Sequence, residues 1–265
     1  MTPDTDYTYK LESLATGYGG GEGRNVLLSG MDARLRRGEL TCLIGVNGAG
    51  KSTLLRTLAG LQPPLGGRVE LLGRRLGDYS RAELSRLVGV VLTDDIPEQN
   101  LTAQELVEMG RVPYTGYWGA MAEADREMVD RAFRLTGTGA FRHRRLSTLS
   151  DGERQKLLIA KALAQDTEVI LLDEPVAFLD FPNKVGVLRL LSRIAVEEGK
   201  SVLVSIHDIE LALQMAHRLW VLRADGFAEG RPSELARRGD VDFLFEGQGV
   251  VFDREKLQYS LTTTE

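Results

Sequence analysis

Nine consecutive residues, Gly45-Val46-Asn47-Gly48-Ala49-Gly50-Lys51-Ser52-Thr53, have the form G-x-x-x-x-G-K-S of a phosphate-binding loop. Glycines let the backbone curl until consecutive N–H groups point inward at phosphate oxygens. A helix starting at the same place adds partial positive charge. In such a loop Lys51 reaches the outer phosphates as a point charge, and the Ser52 hydroxyl is placed to bind Mg²⁺. A glycine-rich turn with a chance Gly-Lys-Ser has the same letters, so the flanks decide. Leu40-Thr41-Cys42-Leu43-Ile44 reads as a buried strand, and Thr53 to Ala59 has helical apolar spacing, which is the required order of strand, loop and helix.

Two other apolar runs end in groups that can do chemistry. Glu168-Val169-Ile170-Leu171-Leu172-Asp173-Glu174-Pro175 reads as a central parallel strand closed by two acids. Ligands of open α/β sheets lie beyond the carboxyl ends of strands, so Asp173 and Glu174 are expected to face the crevice of the phosphate loop. Taken alone, such acids simply meet solvent. Ser201-Val202-Leu203-Val204-Ser205-Ile206 is a second buried strand, followed at once by His207-Asp208. By itself His207 reads equally as a capping or core residue. Tyr18 precedes the glycine loop Gly19 to Gly23, where an aromatic ring can stack on a nucleotide base. A turn tyrosine packed on the surface has the same sequence.

The elements that must hold these groups are legible in outline. Strands are expected at Tyr7 to Leu14, Val26 to Leu35, Leu40 to Ile44, Arg68 to Gly73 and Val88 to Leu92, with a short helix at Arg81 to Leu87. Helical patterns then dominate: Thr102 to Gly110, Ala122 to Leu135, and the segment leading into Leu149. After the Asp-Glu strand come a helix at Phe181 to Glu198, the Ser201 strand, a helix at Glu210 to Ala216, and a strand at Leu219 to Leu222 that closes the sheet. The tail from Gly230 carries Phe243-Leu244-Phe245 and no recognisable chemistry.

At 265 residues the chain suffices for one large α/β domain or two small ones, and 43% hydrophobic with 27% charged residues is ordinary for a globular protein. A net charge of −5 argues against nucleic acid as a partner. No apolar run is long enough to span a membrane, and the polar, acidic N-terminus does not read as a signal peptide. The single cysteine, Cys42, excludes an internal disulfide, and a cytosolic location follows most simply.

Leu149-Ser150-Asp151-Gly152-Glu153-Arg154-Gln155-Lys156 stands upstream of the Asp-Glu strand. Together with the phosphate loop it resembles the ATP-binding subunit of an ABC transporter, over nearly the whole chain. That family's signature is usually Leu-Ser-Gly-Gly-Gln; Ser150 and Gly152 are kept, whereas Asp151 and Glu153 depart from it. The resemblance implies one ABC ATPase domain over residues 1–265. Its fold would be α/β, a P-loop NTPase (RecA-like) core with an N-terminal antiparallel β subdomain and a helical subdomain inserted at 100–160. It also implies a homodimer that binds ATP between head-to-tail subunits, with Ser150 and Gly152 meeting the nucleotide held by the partner's Lys51. Residues Gly45 to Thr53, Tyr18 and Asp180 would contact the nucleotide. Ser52 and Asp173 would hold Mg²⁺, Glu174 would act as general base, and His207 would hold the γ-phosphate and attacking water. Ala177-Phe178-Leu179-Asp180 is similar to the loop through which the subunits communicate, with Val176 where a threonine is usual. Thr93 stands where the family has a glutamine that touches magnesium, which implies a weaker direct metal contact.

Leu106-Val107-Glu108-Met109-Gly110-Arg111-Val112-Pro113-Tyr114 resembles the corresponding segment of importers for iron-siderophore complexes, haem and vitamin B12, although an ordinary helix ended by proline fits the same letters. The implied partners are two transmembrane permease subunits and, indirectly, a substrate-binding protein, with this chain peripheral on the cytoplasmic face of the membrane. Three other readings share the ATPase core: an exporter subunit, a soluble ABC-type ATPase acting on nucleic acid or ribosomes, and a small-molecule kinase. The signature and His207 argue against the last.

Overall fold

A computed structural model of the chain describes residues 6–19, 23, 25–92, 100–116, 119–223, 226–245 and 250–261. The N-terminal part supplies strands β1 (Tyr7–Tyr18), β2 (Asn25–Arg36) and β3 (Leu40–Gly45), then helix α1 (Lys51–Leu58). Next come β4 (Gly66–Leu71), β5 (Arg74–Arg75), α2 (Arg81–Leu87) and β6 (Val88–Val91). The helical region holds α3 (Ala103–Glu108), α4 (Glu123–Thr136) and α5 (Asp151–Ala164). It leads into β7 (Val169–Leu172), α6 (Phe181–Glu198), β8 (Ser201–Ser205), α7 (Ile209–Met215), β9 (Arg218–Arg223) and β10 (Gly226–Gly230). Helix α8 (Pro232–Arg238) and a hairpin, β11 (Val250–Asp253) with β12 (Gln258–Leu261), complete the order.

The strands form an antiparallel sheet in the order β2-β1-β4-β5 and a six-stranded sheet in the order β10-β9-β3-β8-β7-β6, parallel except for β10. Continuous apolar runs suit the second sheet because it is covered on both faces. Successive side chains alternate between two cores. Leu43, Val169, Leu171, Leu203, Trp220 and Leu222 pack against α1 and the antiparallel sheet. Cys42, Ile44, Ile170, Leu172, Val202 and Val204 pack toward α5, α6 and α7. Helix α1 is thereby held at the top of β3, which fixes the direction in which the phosphate loop opens.

Several boundaries differ from the sequence expectation for identifiable reasons. β1 runs on to Tyr18 because register shifts after Leu11 and Leu14 break the alternation without ending the pairing, and Thr16 opposes Leu28. The segment before Leu149 contains 3-10 turns at Gly139–Phe141 and Leu146–Thr148 in place of a helix. Gly137, at φ 68°, stops α4, and a bridge from Arg145 to Thr102 extends the chain. β9 does not close the sheet, because β10 pairs along its outer edge. In the tail, Phe245 stacks on Phe252 with centroids 4.5 Å apart.

The Gly110 to Tyr114 segment is a junction. A Cβ at Gly110 would lie 2.3 Å from the Lys161 carbonyl, so only glycine lets this turn meet the end of α5. Arg111 is buried, pairs with Asp125 at 2.9 Å, and donates to the Ala164 carbonyl at 2.7 Å. Tyr114 lies over the Arg111 guanidinium at 3.9 Å, and Arg86 of α2 donates to the Pro113 carbonyl at 3.1 Å.

Candidate active site

The loop between β3 and α1 turns on itself, with the Ala49 N–H donating to the Val46 carbonyl at 3.2 Å. Gly50 caps α1 at φ 92°, no side chain caps the helix, and its first turn holds no acid. A Cβ at Gly50 would come within 3.1 Å of Leu27, so the turn tolerates only glycine without adjustment. Lys51 donates to the carbonyls of Gly45 at 2.9 Å and Val46 at 3.2 Å. Burial pushes the Lys51 ammonium below its ordinary value, while the charges of Glu174 and Asp173 oppose that shift. Residues 47–53, Tyr18, Leu27, Glu174 and His207 line one open pocket of about 500 Å³.

Of the two acids after β7, Glu174 lines this pocket as expected, whereas Asp173, like Gly45 and Val46 of the loop, is not part of its wall. Asp173 is buried, and its N–H donates to the Val91 carbonyl at 2.8 Å. Glu174 has φ 50°, a left-handed conformation that costs a non-glycine residue about 1–2 kcal/mol. Its carboxylate Oε1 lies 2.5 Å from His207 Nε2. A carboxylate only accepts, so this contact requires the proton on Nε2. The His207 ring is 43% exposed, which leaves it reachable from the pocket.

The oxygens of Ser52 and Asp173 are hard donors, and no group of three His, Cys, Asp or Glu among the described residues makes an all-protein metal cage. That set suits Mg²⁺, which takes one or two protein oxygens and completes its shell with phosphate and water. Tyr18 accepts a hydrogen bond from Thr53 Oγ1 at 2.6 Å and is 53% exposed, so its ring is pinned to the first turn of α1 at the pocket rim.

Ser150, Gly152 and Asp180 do not line this pocket. Ser150 caps α5 in a reciprocal box with Glu153, whose carboxylate takes the Ser150 N–H at 2.8 Å and hydroxyl at 3.1 Å. Asp180 caps α6 through the Asn183 N–H at 3.2 Å. A Cβ at Gly152 would lie 3.1 Å from the Asn183 side chain, so the starts of α5 and α6 sit together. Phe178 and Phe181, beside them, are 83% and 65% exposed. Thr93 lies outside the described residues. Sequence reasoning missed Leu27 of the pocket wall and Ser205, whose hydroxyl lies between Asp173 and Glu174. A serine ending an apolar strand beside the acids was the available signal.

A family model described as ABC transporter matches residues 28–177. The achromobactin transport ATP-binding protein of Dickeya dadantii is 39% identical over 85% of this chain and 84% of its own length. The iron(3+)-hydroxamate import ATP-binding protein of Bacillus subtilis is 34% identical over 80% and 77%. A solved dimeric bacterial ABC transporter cassette superposes with a TM-score of 0.71 at 28% identity, covering 84% of this chain and 98% of that one.

Proposed function

The chain belongs to the ABC transporter family, and on that premise we propose that it is the ATP-hydrolysing subunit of an importer whose cargo is a ferric chelate of the siderophore type. The observation that carries the reading is the pairing of Glu174 with His207 above the phosphate loop. The cargo class rests on relatives that transport achromobactin or import iron(3+)-hydroxamate, and on the Leu106 to Tyr114 segment that led to the wider class including haem and cobalamin.

Phosphoryl transfer needs positioning and charge neutralisation more than covalent chemistry. Lys51 and the amides of Asn47 to Ser52 hold the β- and γ-phosphates, and Tyr18 stacks on the adenine. Ser52 and Asp173 would hold Mg²⁺, which would supply charge neutralisation at the phosphates. Glu174 takes the proton of the attacking water as general base. His207 holds Glu174 through Nε2 and orients the water and γ-phosphate. Ser150, Gly152 and Asp180 act on the nucleotide of a second copy in a homodimer, which accounts for their place outside this pocket. ATP closes the dimer and hydrolysis reopens it, beneath two permease subunits that receive cargo from a substrate-binding protein. No helix among the described residues is long and apolar enough to cross a membrane, in keeping with a peripheral subunit on the cytoplasmic face.

The test uses tagged Glu174→Gln with ATP and magnesium in solubilised native membranes, followed by mass spectrometry of what is retained. A polytopic permease with a substrate-binding protein is expected. Ribosomal or DNA-repair proteins without a membrane partner would overturn the transport reading.

A further inference from the structure

Ser205 ends β8 with no exposed surface, and its hydroxyl makes two contacts at once. Oγ donates to Asp173 Oδ1 at 2.7 Å and accepts the Glu174 N–H at 2.8 Å. A hydroxyl has one hydrogen, and an ionised carboxylate has none to give. The direction of both bonds is therefore fixed: the proton goes to Asp173 and a lone pair takes the amide. The contact follows from strand register. Leu172 of β7 pairs with Val204 of β8, which sets the next residues, Asp173 and Ser205, side by side.

Glu174 is held at both ends by the same strand and its exit. Ser205 takes its amide and His207 its carboxylate. Between those anchors the residue sits at φ 50°, a conformation that persists only when its surroundings over-determine it. We propose that Ser205 is the positioning residue of the hydrolytic site, a single buried hydroxyl that sets the metal-side carboxylate of Asp173 and the backbone of the general base Glu174 relative to each other. This rests on the ATPase reading given above. Without the hydroxyl, Asp173 loses a donor and the Glu174 amide loses its acceptor. The peptide then relaxes, and the Glu174 carboxylate leaves the place where it meets His207.

The test compares Ser205→Ala with Ser205→Thr, which keeps the hydroxyl, and with Ser201→Ala. Ser201 is the other buried serine of β8; it accepts from Thr8 at 2.8 Å, at the opposite end of the strand. In Ser205→Ala, kcat is expected to fall about 10- to 100-fold, the effect of one hydrogen bond to a charged group. KM for ATP should be unchanged. Titration of Mn²⁺ by electron paramagnetic resonance, with a non-hydrolysable ATP analogue, should show weaker metal binding. Ser205→Thr should restore both quantities, and Ser201→Ala should keep wild-type turnover whatever its melting temperature. Wild-type kcat and Mn²⁺ affinity in Ser205→Ala would overturn the proposal, as would losses that track melting temperature equally in Ser205→Ala and Ser201→Ala. Amide exchange in the wild-type protein is an independent check that needs no variant: the Glu174 N–H should be protected, and rapid exchange would overturn the assignment. If the wild-type chain hydrolyses no ATP, the ATPase reading fails. If it does and Ser205→Ala matches it, only this inference fails.

Discussion

Helices α1 and α5 both begin at a turn containing serine and glycine, and their first turns are built in opposite ways. The start of α1 has no capping side chain and no acid, and its residues line the pocket. The start of α5 is closed on itself by Ser150 and Glu153, and carries two acids, Asp151 and Glu153. The same reciprocal box starts α2 with Ser80 and Glu83, and α3 with Thr102 and Glu105. Locally, then, the signature segment is an ordinary capping box, and the phosphate loop is the exception. Capacity for phosphate is set by the donors a helix start leaves uncommitted, and α5 must share or surrender a box that α1 never forms.

Four changes break or sharpen this contrast. The largest separates holding the nucleotide from cleaving it. Glu174→Gln leaves both helix starts intact, so ATP binding should persist while turnover drops about 10²- to 10⁴-fold; near-normal hydrolysis in a phosphate-release assay would refute the role of Glu174. Next, Gly50→Ala places a Cβ at φ 92° against Leu27. The strain, about 1–2 kcal/mol, should weaken ATP binding about tenfold in a fluorescent-nucleotide titration. An unchanged affinity would show that the open start of α1 is not the phosphate seat.

A smaller effect is expected at the closed end. Glu153→Gln keeps the capping box, which glutamine also serves, and removes one negative charge. ATP-dependent dimerisation, followed by sedimentation in the Glu174→Gln background, should tighten about two- to fivefold. Weaker dimerisation would mean that the carboxylate itself supports the interface. The smallest effect concerns acid stability. The Ser150 N–H, foremost, and the Ser150 hydroxyl hold the Glu153 carboxyl below its ordinary value of 4.5. The Ser80 N–H and hydroxyl, with Arg74, hold Glu83 down at about 2. A carboxyl depressed by folding stabilises fully above its unfolded value, and that contribution is lost as pH falls through the folded one. Melting temperature should therefore decline from pH 4.5 downward, and less steeply in Glu153→Gln than in the wild type. Parallel curves would show that the ionised Glu153 carboxylate adds nothing to acid stability.

What the sequence discloses follows the range of the interactions involved. The phosphate loop is legible because it is a short run read within its own strand and turn, whereas the acids after β7 and His207 take their meaning from the phosphate loop and the family resemblance. Helices α2 and α6 are legible because an amphipathic pattern begins at a capping residue, Ser80 or Asp180, and reaches its natural end. β1 is only partly legible, because its register shifts erase the period of two while leaving the hydrogen bonds. Ser205 is legible only as a serine ending an apolar strand; its contact with the acids lies in the pairing of two strands separated by an eighteen-residue helix. The second use proposed for Ser150 is hidden for another reason: a capping box and a signature share the same letters.

Helix α5 has a mechanical consequence. Its fourteen residues make a rod about 21 Å long. Arg111 and Gly110 grip the end at Ala164, and Gln165 just beyond it donates to the Val88 carbonyl at the foot of β6. Ser150 caps the other end, beside the start of α6. Over that length a tilt of about 10° at the Ala164 end would carry Ser150 through about 4 Å. On the proposed function, a rotation that slight at the Arg111 end would decide whether the signature end of the helix meets a nucleotide.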